Sequence, residues 1–330
     1  MTRLPVHISA ALLGLAAYAI FSTHDVIVKI LGETYSPIQI LFFSALLGFP
    51  LIALYLVGGS GPHRLRPVHP WWVALRSVSA AIAALSAFYA FSVLPLSQAY
   101  AFIFATPLLI TVLAVPMLGE TIRRRRGIAV LAGLCGVLVV LRPGATPLEL
   151  GHMAAMMAAV AGAFNAIVVR KIGRDENVVV MVLYPFFANL LIAGMALPFV
   201  YVAVELEHLG MFAVISALVL AAMAVLVVAY GKGPALVVAP MQYSQLLWGT
   251  LYGAVLFGER PDWPTYLGAA IIVVSGIYIL KREATGNVSA NRPVLTTKTR
   301  SGHAVSLRVD TIMRSLKRGS SKNPPNEDAS

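Results

Sequence analysis

Ten runs of mostly apolar residues, each close to the length of a membrane crossing, lie between residues 7 and 281. They fall at about 7–30, 37–57, 71–93, 96–117, 126–141, 150–170, 178–202, 209–230, 236–257 and 264–281. A helix needs about 20 apolar residues to span the hydrocarbon core, and fewer where the bilayer thins. Lipid offers backbone amides and carbonyls no partners, so a crossing run closes its own hydrogen bonds as a helix. The pattern predicts an all-α membrane protein with ten transmembrane helices. The connections are short and rich in breakers, as at Gly58-Gly59-Ser60-Gly61-Pro62, Leu94-Pro95, Arg142-Pro143-Gly144, Gly231-Lys232-Gly233-Pro234 and Arg260-Pro261. None has room for a separate soluble domain. Only 12% of the residues are charged and 58% are hydrophobic, whereas a soluble domain carries about 25% charged residues.

The runs repeat. Leu118-Gly119-Glu120 matches Phe257-Gly258-Glu259 at an offset of 139, which Pro95 and Pro234 share, as do Phe104 and Tyr243. Arg142 and Arg282, and Gly136 and Gly276, stand 140 apart. Val28-Lys29-Ile30-Leu31-Gly32 parallels Val169-Arg170-Lys171-Ile172-Gly173, with the glycines 141 apart. The expected organisation is therefore a first five-helix repeat over 1–142, a second over 143–283, and a tail over 284–330. Five is odd, so the two halves insert in opposite orientations, as in many secondary transporters. The first run has features of a secretory signal, with Arg3 before the apolar stretch and Ala17-Tyr18-Ala19 in the manner of a cleavage site. Its repeat partner downstream assigns it to the fold instead.

Charge orients the bundle. With the N-terminus in the cytoplasm, only Lys29, Arg142 and Arg260 of the 25 Lys and Arg residues face outward. That asymmetry follows the positive-inside rule and predicts an inner-membrane protein with both termini cytoplasmic. The tail is polar and rich in Ser, Thr and Asn, which predicts a disordered, basic cytoplasmic segment. Alternatively, Val305, Val309, Ile312 and Leu316 share a helical face that suits a basic amphipathic helix on the inner leaflet.

Several chemistries lack their residues. Gly231-Lys232-Gly233-Pro234 lacks the upstream Gly and the Ser or Thr of a phosphate-binding loop, and neither His-Glu-x-x-His nor Gly-x-Ser-x-Gly occurs. The expectation is no enzyme, no cofactor and no metal site. The lone Cys135 has no disulfide partner and is expected to be a small core residue.

Polar residues inside spans are costly and so mark function. Asp25 is the one carboxylate well inside a span; it is suited to carry a proton or to pair with a cation, Lys29 being one turn on. His24 adjoins it. Asn165 aligns with His24 at offset 141, either to face it across the pseudo-twofold axis or to make a helix–helix hydrogen bond. Arg76 opens the third run beside Trp71 and Trp72, as an interfacial anchor or a functional cation. The fourth and ninth runs mix aromatics, hydrogen-bonding groups and proline at mid-membrane depth, in Ser97-Gln98-Ala99-Tyr100-Ala101-Phe102-Ile103-Phe104-Ala105-Thr106-Pro107 and Pro240-Met241-Gln242-Tyr243-Ser244-Gln245-Leu246-Leu247-Trp248. Such walls suit a flat organic solute. The expected substrate contacts are His24, Asp25, Tyr100, Phe104, Thr106, Asn165, Gln242, Tyr243, Gln245 and Trp248.

The two halves, the Gly119-Glu120 and Gly258-Glu259 helix ends, and Phe88-Tyr89-Ala90-Phe91-x-x-Leu94-Pro95-Leu96 together resemble the EamA family of the drug/metabolite transporter superfamily, over about residues 7–282. The resemblance implies a ten-helix inverted-repeat fold with a central cavity and alternating access, in a family of metabolite exporters and importers. Phe21-Ser22-x-x-Asp25-x-x-x-Lys29 and Arg76-Ser77 are similar to the group that includes bacterial riboflavin importers and S-adenosylmethionine carriers. The implied activity is secondary transport of a small organic metabolite, with riboflavin uptake leading and export of amino acids or related metabolites as the alternative. A channel or a membrane enzyme stands well behind. The implied partners are the solute and the lipid bilayer, with a homodimer permitted and no nucleic acid.

Overall fold

A computed structural model describes residues 6–57, 66–119, 124–142, 149–173, 175–233 and 235–285. The tail from 286 onward, with its amphipathic face, lies outside the described residues, as do the 58–62 connection, Glu120 and Pro234. Among the described residues every regular element is helical. The order is α1 (Val6–Gly32), α2 (Pro37–Val57), α3 (Pro70–Val93), α4 (Leu96–Ile103), α5 (Thr106–Leu118), α6 (Arg124–Leu141), α7 (Leu150–Ile172), α8 (Val178–Ala196), α9 (Leu206–Lys232), α10 (Ala235–Val238), α11 (Ser244–Leu256) and α12 (Trp263–Thr285).

The helix ends follow local chemistry. Proline opens α2 and α3, where its missing amide costs nothing and its φ is already helical. Asn177 caps α8 by accepting the Val179 amide at 2.9 Å. Glu149 and His152 form a capping box on α7. Gly119 ends α5 at φ 68° and Gly258 follows α11 at φ 64°, a left-handed conformation that a Cβ disfavours. These are the glycines of the strongest repeat anchor.

Six stretches are long and apolar enough to cross a membrane: Ile8–Gly32, Pro70–Val93, Leu96–Leu118, Leu150–Ile172, Val179–Phe199 and Leu206–Lys232. Pro37–Pro50, Gly127–Leu141 and Trp263–Ile279 are shorter apolar helices. The structure thus differs in detail from ten uniform crossings. The fourth run is two helices, α4 and α5, meeting at Phe104–Ala105. The ninth is broken twice, α10 passing into a 3-10 turn over Ala239–Tyr243 and then into α11. Prolines at positions 107 and 240 stand at these breaks, where a lost backbone donor loosens the helix.

The packing interleaves the two parts of the chain. α1 lies along α9, and its sequence mate α7 lies along α3; α2 meets α8, and α6 meets α12. At the α6–α12 crossing a Cβ built on Gly136 would stand 2.8 Å from the Gly268 carbonyl, and one on Gly268 would stand 2.5 Å from the Gly136 carbonyl. Small residues let these backbones touch, as membrane helices commonly do. Cys135, expected in the core, is exposed. α6 turns Gly133, Gly136, Val137 and Val140 inward, which leaves Cys135 on the outer face with Leu131 and Leu138. Large apolar residues such as Leu191, Met195, Leu247 and Val274 cover the outside, while Asp25, His24, Arg76, Asn165 and Gln245 are buried. An apolar shell around a polar interior is the arrangement that lipid, and not water, stabilises.

Candidate functional site

α1 carries Asp25 and His24 into the interior, where both are fully buried. A buried carboxylate needs hydrogen-bonding partners to offset its lost hydration. Tyr100 on α4 donates its hydroxyl to Asp25 Oδ2 at 2.6 Å, and His24 Nδ1 shares a hydrogen bond with Asp25 Oδ1 at 2.8 Å. The His24 ring rests 5.9 Å from that of Phe88. Lys29 does not pair with Asp25 as the four-residue spacing suggested. It turns to Glu259, at 2.9 Å, and to the Leu94 carbonyl, at 2.7 Å. The helical rise carries it one turn beyond the carboxylate, toward the end of the bundle.

Aromatic contacts run from this carboxylate across the two broken spans. Tyr100 stacks on Phe104 with centroids 5.9 Å apart and planes 16° from parallel. Phe104 meets Tyr243 edge-on at 5.3 Å, and Phe91 meets Tyr100 edge-on at 5.4 Å. Phe104 closes α4, and Tyr243 ends the 3-10 turn, so the breaks themselves bring the two repeat mates together. Two glycines make the space. A Cβ on Gly276 would fall 1.7 Å from the Tyr243 hydroxyl oxygen, and one on Gly249 would fall 2.4 Å from Tyr100 Cε2.

Among the described residues several buried polar atoms have no protein partner: Tyr243 Oη, Gln245 Nε2, Trp248 Nε1, Asn165 Oδ1, Ser22 Oγ and Ser97 Oγ. Trp248 stacks on Tyr252 at 6.5 Å, and the Tyr252 hydroxyl bonds to that of Thr23 on α1 at 3.0 Å. Thr106 is turned into its own helix break, donating to the Ile103 carbonyl at 2.6 Å. Gln242 is half-buried in the 3-10 turn. Asn165 is buried on α7, and among the described residues it makes no hydrogen bond with the other candidates. The structure therefore joins His24, Asp25, Tyr100, Phe104 and Tyr243 directly and leaves Asn165 apart.

Arg76 is buried and donates through Nη1 to the Met181 carbonyl. It ties α3 to α8, and the cation that lies over the Trp72 ring, at 4.3 Å, is Lys171. Sequence reasoning missed Thr23, Tyr252, Gly249 and Gly276. Only Gly276 carried a signal, its repeat mate Gly136. At one end of the bundle, outside the spans, hydrogen bonds from the Arg142 guanidinium and from Thr265 hold the Asp262 carboxyl below its usual range. Among the described residues no group of His, Cys, Asp and Glu could hold a metal ion.

Residues 8–142 and 149–281 each match the EamA-like transporter family. Similar proteins include an S-adenosylmethionine uptake transporter of Rickettsia bellii, 24% identical over 266 residues, covering 79% of this chain and 90% of that one. A riboflavin transporter of Rhizobium johnstonii is 26% identical over 240 residues, covering 71% and 78%. A pseudopaline exporter of Pseudomonas aeruginosa is 25% identical over 274 residues, covering 82% and 95%. Both parts of the interleaved bundle carry the family pattern, and the chain belongs to the EamA-like transporter family.

Proposed function

We propose that this protein is an inner-membrane secondary carrier for a solute with a flat heteroaromatic ring bearing a hydroxylated, sugar-derived group, riboflavin first and S-adenosylmethionine second. The carrying observation is the set of buried polar atoms on Tyr243, Gln245 and Trp248 that have no partner among the described residues, on the same broken span that supplies Tyr243 to the Tyr100–Phe104–Tyr243 aromatic contacts. A polar atom orphaned away from water costs about 1–3 kcal/mol. A solute that offers donors and acceptors beside a ring offsets that cost while it is bound. Asp25 is the proton acceptor if transport is coupled to protons, with Tyr100 and His24 as its hydrogen-bonding partners.

In this reading 1–142 and 143–283 form two five-helix halves of opposite orientation and 284–330 is a cytoplasmic tail. The pairing of α1 with α9 and of α7 with α3 supports such a pseudosymmetric exchange. Alternating access then follows from rocking one half against the other. Leu206 and Arg124 are exposed and lie on opposite sides of the membrane in this topology. In a Cys135→Ala background, Leu206→Cys should label from outside the cell and Arg124→Cys should be protected.

Thermal unfolding of the purified protein against riboflavin, S-adenosylmethionine, amino acids and nucleosides tests the substrate. Ligand at 100 times its Kd stabilises the folded state by about 2.7 kcal/mol, a readily measured rise in midpoint. Riboflavin or S-adenosylmethionine should raise it. A rise with amino acids alone would favour the second reading, export of amino acids or related metabolites, which similarity to the pseudopaline exporter supports.

A further inference from the structure

Where α1 finishes, the bundle is knitted by a polar cluster that the site residues do not use. Lys29, in the last turn of α1, pairs through Nζ with Glu259 Oε1 at 2.9 Å and donates to the Leu94 carbonyl at 2.7 Å. It also lies 5.2 Å from the centre of the Phe257 ring. The other carboxylate oxygen of Glu259 accepts the Leu96 amide at 3.0 Å. The pair thus grips the α3–α4 turn through both polarities, the ammonium taking a carbonyl and the carboxylate taking the first amide of α4. Gly258, at φ 64°, reverses the chain so that the Glu259 amide donates to the Gly253 carbonyl at 2.8 Å. Gly253 keeps that fold-back possible: a Cβ there would stand 2.4 Å from Glu259 Oε2.

The cluster stands one turn from the candidate site on both helices. Asp25 and Lys29 are four residues apart on α1, and Tyr100 and Leu96 are four apart on α4, a rise of about 6 Å in each case. The inner bridge, Asp25 to Tyr100, is fully buried. The outer one is in partial contact with the surroundings, its side chains 11% and 13% exposed. Only the outer bridge recruits the later part of the chain, through Glu259. An ion pair at a boundary contributes modestly and is weakened by salt, so it can open without unpacking the core.

The geometry points to a function for this pair: Lys29 and Glu259 form a reversible latch that shuts the solute path at the α1-terminal end, clamping the α3–α4 turn to the α11–α12 connection. What passes the latch rests on the carrier reading above; its contacts do not. Ser97, buried one residue past the clamp with its Oγ unpartnered among the described residues, provides a reporter that needs no solute. In a Cys135→Ala background, Ser97→Cys is labelled with a membrane-impermeant maleimide in right-side-out and inside-out vesicles. Adding Glu259→Gln should raise labelling from one face roughly fivefold, near the upper end for losing a partly exposed ion pair. Lys29→Met should do the same, while Lys29→Arg, which keeps the charge, should stay near the parent rate. High salt should raise labelling of the parent and leave Glu259→Gln unmoved. Unchanged labelling in Glu259→Gln at equal membrane abundance would overturn the latch. So would an equal rise from both faces, which signals loosened packing and not one-ended opening. If every solute fails in the thermal screen, the carrier reading falls while the labelling still decides the latch.

Discussion

Tyr100→Phe removes one oxygen from the interior and little else. The ring keeps its stack on Phe104 and its edge contact with Phe91, so the loss is confined to the hydroxyl that donates to Asp25 at 2.6 Å. A hydrogen bond to a charged group contributes about 1.5–3 kcal/mol. Tyr100→Phe should therefore cost about 2 kcal/mol of stability, since it leaves the buried carboxylate one donor short. With Asp25→Asn already present, the same substitution removes only a neutral bond and should cost about 1 kcal/mol. The two changes should thus be coupled by about 1 kcal/mol in a double-mutant cycle. Equilibrium unfolding of the four proteins in mixed micelles measures it. Additivity within about 0.3 kcal/mol would refute the idea that Tyr100 stabilises a charged Asp25.

Other outcomes follow from the same geometry. Gly276→Ala places a methyl 1.7 Å from the Tyr243 hydroxyl; the strain should cost about 1–3 kcal/mol, seen as a lower unfolding midpoint and a raised KM. Asp25→Asn should abolish pH-driven accumulation in proteoliposomes while sparing exchange of solute for solute; loss of both would mean that Asp25 only holds the fold. Hydrogen bonds from Arg142 and Thr265 lower the Asp262 pKa, so the stability they confer is present above the ordinary carboxylate range and is lost as pH falls through the lowered value. Arg142→Gln should flatten that acid limb of a stability–pH profile, and an unchanged limb would contradict it.

Much of this architecture is legible in the sequence. Apolar run length located the helices because a bilayer imposes it, and the two Gly-Glu anchors located the repeat because glycine adopts the left-handed turns at Gly119 and Gly258 without the strain of a Cβ. Proline among hydrogen-bonding side chains singled out the fourth and ninth runs, but the breaks within them were not foreseen. What stayed hidden was partner choice. Four-residue spacing made Lys29 the obvious mate for Asp25, yet its partner Glu259 lies 230 residues away in the chain, and only tertiary packing brings it there. Tyr252 and Gly249 gave no sign because aromatic and small residues are common in membrane helices of every function. Cys135 misled because a residue's apolar character does not tell a lipid-facing position from a core one when both surroundings are apolar.

Counterflow tests the carrier directly. Proteoliposomes loaded with unlabelled riboflavin, and a parallel set loaded with S-adenosylmethionine, are diluted into a trace of the same labelled solute. A carrier that alternates between two faces should take up the label transiently above equilibrium, with a saturable rate, and return it chemically unchanged. Influx that rises linearly with concentration and ignores the internal load would show a channel, and recovery of an altered compound would show an enzyme; either result contradicts the account.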